Sequence, residues 1–259
     1  MRLLLYLSIP GMIMVSGSGK IYKKEAGSKA FPFERGNMLK VKTENGDIRV
    51  EKYEGNQLKV EYEKYVRTSN KEKAEKALKH IKITFDKTKN GIEINASLPH
   101  SVYSDMGVNF HILMPYDGNL VLKALNGDVS VNGLEGHIHA SSNNGDVSLN
   151  NIEGDIEAHT ANGDITMEDV KGIIKAETNN GEIEYSLSSC IDTSMIELES
   201  TNGEIDVYLP EGTKPSIYAS SENGKVSSDY PIYTDESQLK GPFKISAIAT
   251  NGSVEIRKR

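Results

Sequence analysis

Apolar residues recur at every second position in short runs along this chain, and the runs break at one dipeptide. Eight blocks align on Asn45-Gly46, Asn126-Gly127, Asn144-Gly145, Asn162-Gly163, Asn180-Gly181, Asn202-Gly203, Asn223-Gly224 and Asn251-Gly252. Six residues before the Asn stand Leu39, Leu120, Ile138, Ile156, Ile174, Ile196, Ile217 and Ile245. Four before it the residue is Val, Leu or Ala, two before it Thr, Ser or Ala, and three after it Ile or Val in every block. Alternation with period two is what a strand with one buried face requires. Each block therefore predicts two short strands. The parity breaks at Asn-Gly, which places a corner there, where Gly and Asn tolerate the positive φ of tight bends. A second corner is predicted at Leu134-Glu135-Gly136, Ile152-Glu153-Gly154 and Val170-Lys171-Gly172.

The spacing selects the architecture. Asn126, Asn144, Asn162 and Asn180 are 18 residues apart, followed by steps of 22, 21 and 28. Eighteen residues cannot hold a helical hairpin. Antiparallel hairpins with type I′ turns would not oblige the same residue types to recur at a fixed period, whereas stacking one coil on the next does. The expected fold is all-β: a parallel β-helix (β-solenoid) of 18–22-residue coils, right-handed by analogy with parallel crossovers, with Asn side chains laddered along its corners. The Ser and Thr of the column two before Asn share the parity of the Ile column and face inward.

Between Asn45 and Asn126 the repeat is interrupted. Ser69 and Glu72 form a capping box, and Ala74, Ala77, Leu78 and Ile81 follow at helical spacing, so a short amphipathic helix starts near Asn70. Ile81–Phe85, Ile92–Leu98 and Val108–Ile112 alternate like antiparallel strands with one wet face. A solenoid end needs covering, and this segment is the candidate cap. Met1-Arg2, an apolar run over 3–15 and then Ser16-Gly17-Ser18-Gly19 follow the order of a secretory signal peptide. The predicted organisation is a signal peptide over 1–19, N-terminal strands with the first block over 20–57, a capping helix and strands over 58–115, and solenoid repeats over 116–259.

Charge and inventory narrow the function. The chain has 259 residues and a net charge of −7, which argues against nucleic-acid binding. Its apolar runs are too short for a transmembrane span. The lone cysteine, Cys190, permits no intramolecular disulfide and is expected as a small buried residue at the second corner, where Gly136, Gly154 and Gly172 stand. An acid follows most Asn-Gly pairs: Asp47, Asp128, Asp146, Asp164, Glu182 and Glu204, with Lys225 and Ser253 breaking the column. Asp128, Asp146, Asp164 and Glu182 are weak calcium candidates, because such sites want about six to eight oxygens and the glycine-rich calcium-roll pattern is missing. A solvated structural column is the preferred reading, with no cofactor. His80, His100, His111, His137, His139 and His159 read as surface residues. His137 and His139 flank inward Ile138, but no third ligand completes a zinc or copper set.

The run Val108–Pro115, the Asn-Gly-acid-Ile repeats with their Gly corners, and the terminal Ala249-Thr250-Asn251-Gly252-Ser253-Val254-Glu255-Ile256 resemble the bacterial putative adhesin family of unknown function. They are similar also to the putative autotransporter adhesin head domain. The resemblance covers the chain from about Met38 onward. It implies a parallel β-helix, often in secreted or envelope proteins, with no established activity and no catalytic residues to carry over. The expected function is a noncatalytic extracytoplasmic binding module for a protein or glycan of the periplasm, cell surface or medium. The alternatives are a polysaccharide-active β-helix enzyme, whose carboxylate pair stacked acids could supply, and a periplasmic scaffold in an envelope stress response.

Overall fold

The structure, a computed structural model, describes residues 13–15, 21–99, 105–115 and 117–259. His100 and, apart from Ile13–Val15, the predicted signal peptide lie outside them. The chain divides into two compact units, Met1–Gly127 and Asp128–Arg259.

The first unit holds β1 (Ile13–Val15), β2 (Ile21–Pro32), β3 (Met38–Asn45), β4 (Ile48–Lys52), β5 (Gln57–Thr68), α1 (Lys71–His80), β6 (Lys82–Thr88), β7 (Gly91–Ser97), β8 (Met106–Met114) and β9 (Asn119–Asn126). Five strands run in the order β1-β2-β5-β8-β4, antiparallel except for β8 with β4. Four run in the order β9-β3-β7-β6, parallel except for the β6-β7 hairpin. The predicted strands are thus present but split between two sheets, and β7 covers the edge of β3. The helix is capped by Asn70, whose Oδ1 accepts the Lys73 N–H at 3.0 Å, rather than by Ser69. It buries Ala74, Ala77 and Leu78 and packs on β2 and β5, where Lys23 and Glu75 pair at 2.8 Å.

The second unit is the solenoid. Its strands are β10 (Val129–Asn132), β11 (Glu135–Asn144), β12 (Val147–Asn150), β13 (Glu153–Asn162), β14 (Ile165–Glu168), β15 (Lys171–Asn180), β16 (Ile183–Ser186), β17 (Ser194–Asn202), β18 (Ile205–Leu209), β19 (Ser216–Ser221), β20 (Val226–Ser228), β21 (Ile232–Tyr233), β22 (Phe243–Asn251) and β23 (Val254–Lys258). They form two parallel ladders, β10-β12-β14-β16-β18-β23-β20 and β11-β13-β15-β17-β22-β19-β21. The predicted column is present: Ile138, Ile156, Ile174, Ile196, Ile245 and Ile217 lie in register, all buried.

The coils do not stack in chain order throughout. After β17 and β18 the next coil is the C-terminal β22-β23, and β19-β20 lies outside it as the terminal coil. Residues 229–242 carry the chain over this end of the unit, through β21 and a 3₁₀ turn at Glu236–Gln238, before it returns inward.

Contact between neighbouring coils explains the corner composition. A Cβ on Gly163 would lie 2.3 Å from the Gly145 carbonyl oxygen, and one on Gly203 only 1.8 Å from that of Gly181. Gly145 has φ 155°, but positive φ is not general: Gly163 and Gly203 have none, and close approach of the next coil's backbone is what requires glycine there. The inward Ser and Thr hydroxyls complete the corner. Thr160, Thr178 and Ser200 donate to the carbonyls of Gly145, Gly163 and Gly181 at 2.8, 3.0 and 3.1 Å, so these buried polar groups are satisfied. At the second corner, Gly133, Asn151 and Asp169 share left-handed φ of 74°, 53° and 54°. The glycine column Gly136-Gly154-Gly172 continues to Ser194, whose hydroxyl donates to the Gly172 carbonyl at 2.7 Å. Cys190 is therefore not in that column. It lies exposed in the 187–193 loop, where four residues more than in the 18-residue coils push it out of register.

Candidate functional site

The acid column is a hydrogen-bond ladder. Asp128 Oδ1 accepts the Asp146 N–H at 2.9 Å, Asp146 Oδ1 that of Asp164 at 2.9 Å, and Asp164 Oδ1 that of Glu182 at 2.8 Å. The corner asparagines run beside it: Asn162, Asn180, Asn202 and Asn251 each donate through Nδ2 to the Oδ1 of the preceding corner at 2.9–3.0 Å. One carboxylate oxygen per rung thus holds a neighbouring backbone, which gives Asp128, Asp146 and Asp164 a structural task without a cation. Among the described residues no group of three or more His, Cys, Asp or Glu side chains is placed to hold a metal ion.

The solvent-facing histidines of this unit pair across strands with acids. His137 faces Asp155 at 2.9 Å, His139 faces Glu157 at 2.9 Å, and His159, aligned with Ser141, lies 3.9 Å from Glu177. They are surface residues, as their parity predicts. A concavity of about 320 Å³ at the second corner holds Asp169, whose carboxylate accepts both the N–H and the hydroxyl of Ser188 at 2.7–2.8 Å. Burial pushes this carboxyl up, but those bonds with Lys171 and Arg259 outweigh it and hold it below the usual carboxylate range. Its hydrogen bonds tie this corner to the corner of the next coil.

The larger concavity, about 500 Å³, lies on the outer face of the first unit's antiparallel strands. Alternation sends Leu58, Val60, Val108, Phe110, Ile112, Ile48 and Val50 inward. Their neighbours on the other face form two rows across β2, β5, β8 and β4: Ser28, Glu61, His111 and Arg49, then Ala26, Glu63, Asn109 and Asp47. Gly27 stands between the two rows, and the Tyr62 ring crosses it on the inner face, with the hydroxyl 2.4 Å from where a Cβ would stand. His111 sits between carboxylates of both neighbouring strands, its Nδ1 3.4 Å from Glu61 Oε2 and its buried Nε2 3.6 Å from Glu51 Oε2. Arg49 pairs with Glu51. Burial raises the Glu51 carboxyl, but Arg49 and then His111 outweigh it and hold it below its ordinary value. Glu63 binds Lys24 at 2.6 Å, and Asn109 Oδ1 accepts the Asp47 N–H at 3.1 Å. Four carboxylates face Arg49, Lys24 and one imidazole, so the surface is acidic with an apolar floor. Sequence reasoning placed His111 on the surface and Asp47 in the corner acid column, but missed Ser28, Arg49, Glu51, Glu61 and Glu63. The only signal was the alternating charge of the strands.

A family model described as Toastrack DUF4097 matches residues 36–170 and again 154–257. The chain belongs to the Toastrack DUF4097 family. Membership fits the family of unknown function that the repeats resemble, and the Toastrack matches span both units. No curated protein matches this Toastrack chain. Among solved structures, a putative cell adhesion protein from Clostridium sporogenes ATCC 15579 shares 14% identity over 90% of this chain and 99% of its own, with a TM-score of 0.40. A putative adhesin from Bacteroides fragilis NCTC 9343 shares 14% over 90% and 97%, with a TM-score of 0.46. One from Parabacteroides merdae ATCC 43184 shares 11% over 90% and 96%, with a TM-score of 0.30.

Proposed function

We propose that this protein is a noncatalytic, adhesin-like binding module of the extracytoplasmic space, and that its ligand docks on the acidic outer face of β2, β5, β8 and β4. The observation that carries this reading is the double row of Ser28, Glu61, His111, Arg49 and Ala26, Glu63, Asn109, Asp47 around one concavity. Concave surfaces with an apolar floor and a few converging polar groups are where ligands bind. The excess of carboxylates favours a cationic partner, such as a basic segment of an envelope protein or an amino-bearing glycan, with affinity that falls as salt rises. The solenoid in this account is wound right-handed, and its corner acids are structural. No helix among the described residues is long and apolar enough to cross a membrane.

The test is a screen of immobilised envelope glycans and basic peptides against the full chain, at low and high salt, beside a polysaccharide-degradation assay. Binding that is salt-sensitive and lost in Glu61→Gln/Glu63→Gln, with no degradation, supports the reading. Degradation of any glycan that disappears in Asp146→Asn/Asp164→Asn would promote the enzyme instead.

A further inference from the structure

The terminal coil of the second unit carries its core column into the open. Three residues after the corner asparagine, Val129, Val147, Ile165, Ile183, Ile205 and Val254 are all 0% exposed, whereas Val226 is 38% exposed. Ile232 and Tyr233 on β21, which stacks on β19, are 36% and 40% exposed, so half of the six exposed large apolar residues of the described chain gather at this end. β20 is the last strand of its ladder. The Lys225 carbonyl accepts the Val254 N–H and the Asp229 N–H donates to the Ile256 carbonyl, both at 2.9 Å, so residues 225, 227 and 229 face β23. In a parallel ladder the backbone groups of the alternate residues, Val226 and Ser228, then point away from it. A free edge of this kind is a template for strand addition.

We propose that this edge pairs antiparallel with the same edge of a second copy of the chain, giving a two-fold symmetric dimer through the terminal coils. The segment Lys225-Val226-Ser227-Ser228-Asp229 is complementary to itself when reversed. With the two-fold axis at Ser227, Val226 of each copy lies opposite Ser228 of the other. These are the residues whose N–H and C=O groups point outward, so each such pair exchanges two hydrogen bonds. The same register sets Lys225 of each copy opposite Asp229 of the other, on the solvent face, as oppositely charged cross-strand pairs. Lys225 is exposed, and among the described residues its side chain has no ion partner. Asp229 spends only Oδ2 on the Lys258 N–H at 3.0 Å. Val226 gains cover, and Ile232 and Tyr233 lie at the same end. The arrangement is isologous and closes at two copies, which leaves no free edge on the ladder that ends in β20.

The test is sedimentation equilibrium of the full chain over a concentration series, with circular dichroism melting as a check on folding. The wild type is expected to reach twice the monomer mass. Lys225→Asp and Asp229→Lys should each weaken the dimer about tenfold or more, because each sets like charges opposite one another twice. An equimolar mixture of these two variants should recover the wild-type affinity as a heterodimer. Val226→Pro removes the outward N–H but none of the bonds to β23, and should abolish the dimer while leaving the melting curve in place. A wild type that stays monomeric at every concentration overturns the proposal. So does a dimer that all three variants form undiminished, or a mixture no tighter than its components.

Discussion

A Cβ on Gly163 would stand 2.3 Å from the Gly145 carbonyl oxygen and 2.9 Å from Asp146 Oδ1, so the two neighbouring corners are as close as their backbones allow. Gly163→Ala must push the coils apart at that corner, where the Thr178 hydroxyl donates to the Gly163 carbonyl at 3.0 Å. The expected cost is about 2–4 kcal/mol, from overpacking and a disturbed ladder. Gly36→Ala is the control: its left-handed φ of 79° strains alanine, but no atom lies within 4 Å of the new methyl. Urea unfolding should rank Gly163→Ala as clearly the worse.

Tyr185 fills the place held by Leu149 and Met167 in the coils below, fully buried, and its hydroxyl donates to the Val170 carbonyl at 2.8 Å. Burial, with the charge of Asp169 behind it, drives the phenol far above its ordinary range, so it stays a donor at any working pH. Tyr185→Phe is expected to cost about 1–2 kcal/mol by leaving that carbonyl unpaired. Tyr185→Ala should cost about 3–5 kcal/mol by opening a cavity. Equal losses in thermal unfolding would show that the hydroxyl, not the ring, carries the interaction.

Asp206 stands between Glu184 and Glu255 on adjacent strands. Burial, then the charges of Glu204, Glu255 and Glu182, raise its carboxyl above the ordinary value, against a smaller pull from Arg257. A group whose pKa rises on folding stabilises the fold while protonated and loses that contribution as pH climbs through the folded value. Asp206→Asn is therefore expected to melt higher than the wild type at neutral pH. The gain should shrink as pH falls into the carboxylate range, and also with added salt. A substitution that destabilises equally at every pH would contradict this.

Much of the solenoid was legible because identical coils stack identical residues. The Ile138-Ile156-Ile174 column, the Asn-Gly corners and the inward Ser and Thr all follow from period and parity. The exchange of the last two coils did not, since Ile217, Ala219 and Ser221 match the column as well as Ile245, Ala247 and Ala249. One residue carried the hint: five places after the asparagine every block has an apolar residue or Tyr except the Asn223 block, which has Ser228, a residue suited to an end. Cys190 was misplaced because counting residues cannot see a loop that bulges between corners. The concavity of the first unit was illegible for a different reason. Its residues come from four strands with both parallel and antiparallel partners, and solvent-facing side chains leave no periodic constraint.

The central claim divides the acids in two: those at the solenoid corners, Asp128, Asp146 and Asp164, hold the fold, and those on β5 and its neighbours, Asp47 included, bind. Asparagine keeps the Oδ1 acceptor of aspartate, so Asp146→Asn/Asp164→Asn should leave the melting temperature and ligand affinity near wild type. Asp146→Ala/Asp164→Ala should lose about 1–3 kcal/mol of stability by stripping two rungs of the ladder. The most direct measurement is surface-plasmon-resonance titration of the strongest screened ligand against the two charge-neutral pairs at matched stability. The account predicts that Glu61→Gln/Glu63→Gln weakens binding about tenfold or more while Asp146→Asn/Asp164→Asn binds as the wild type does. Binding lost with the corner pair and retained with the β5 pair would contradict it.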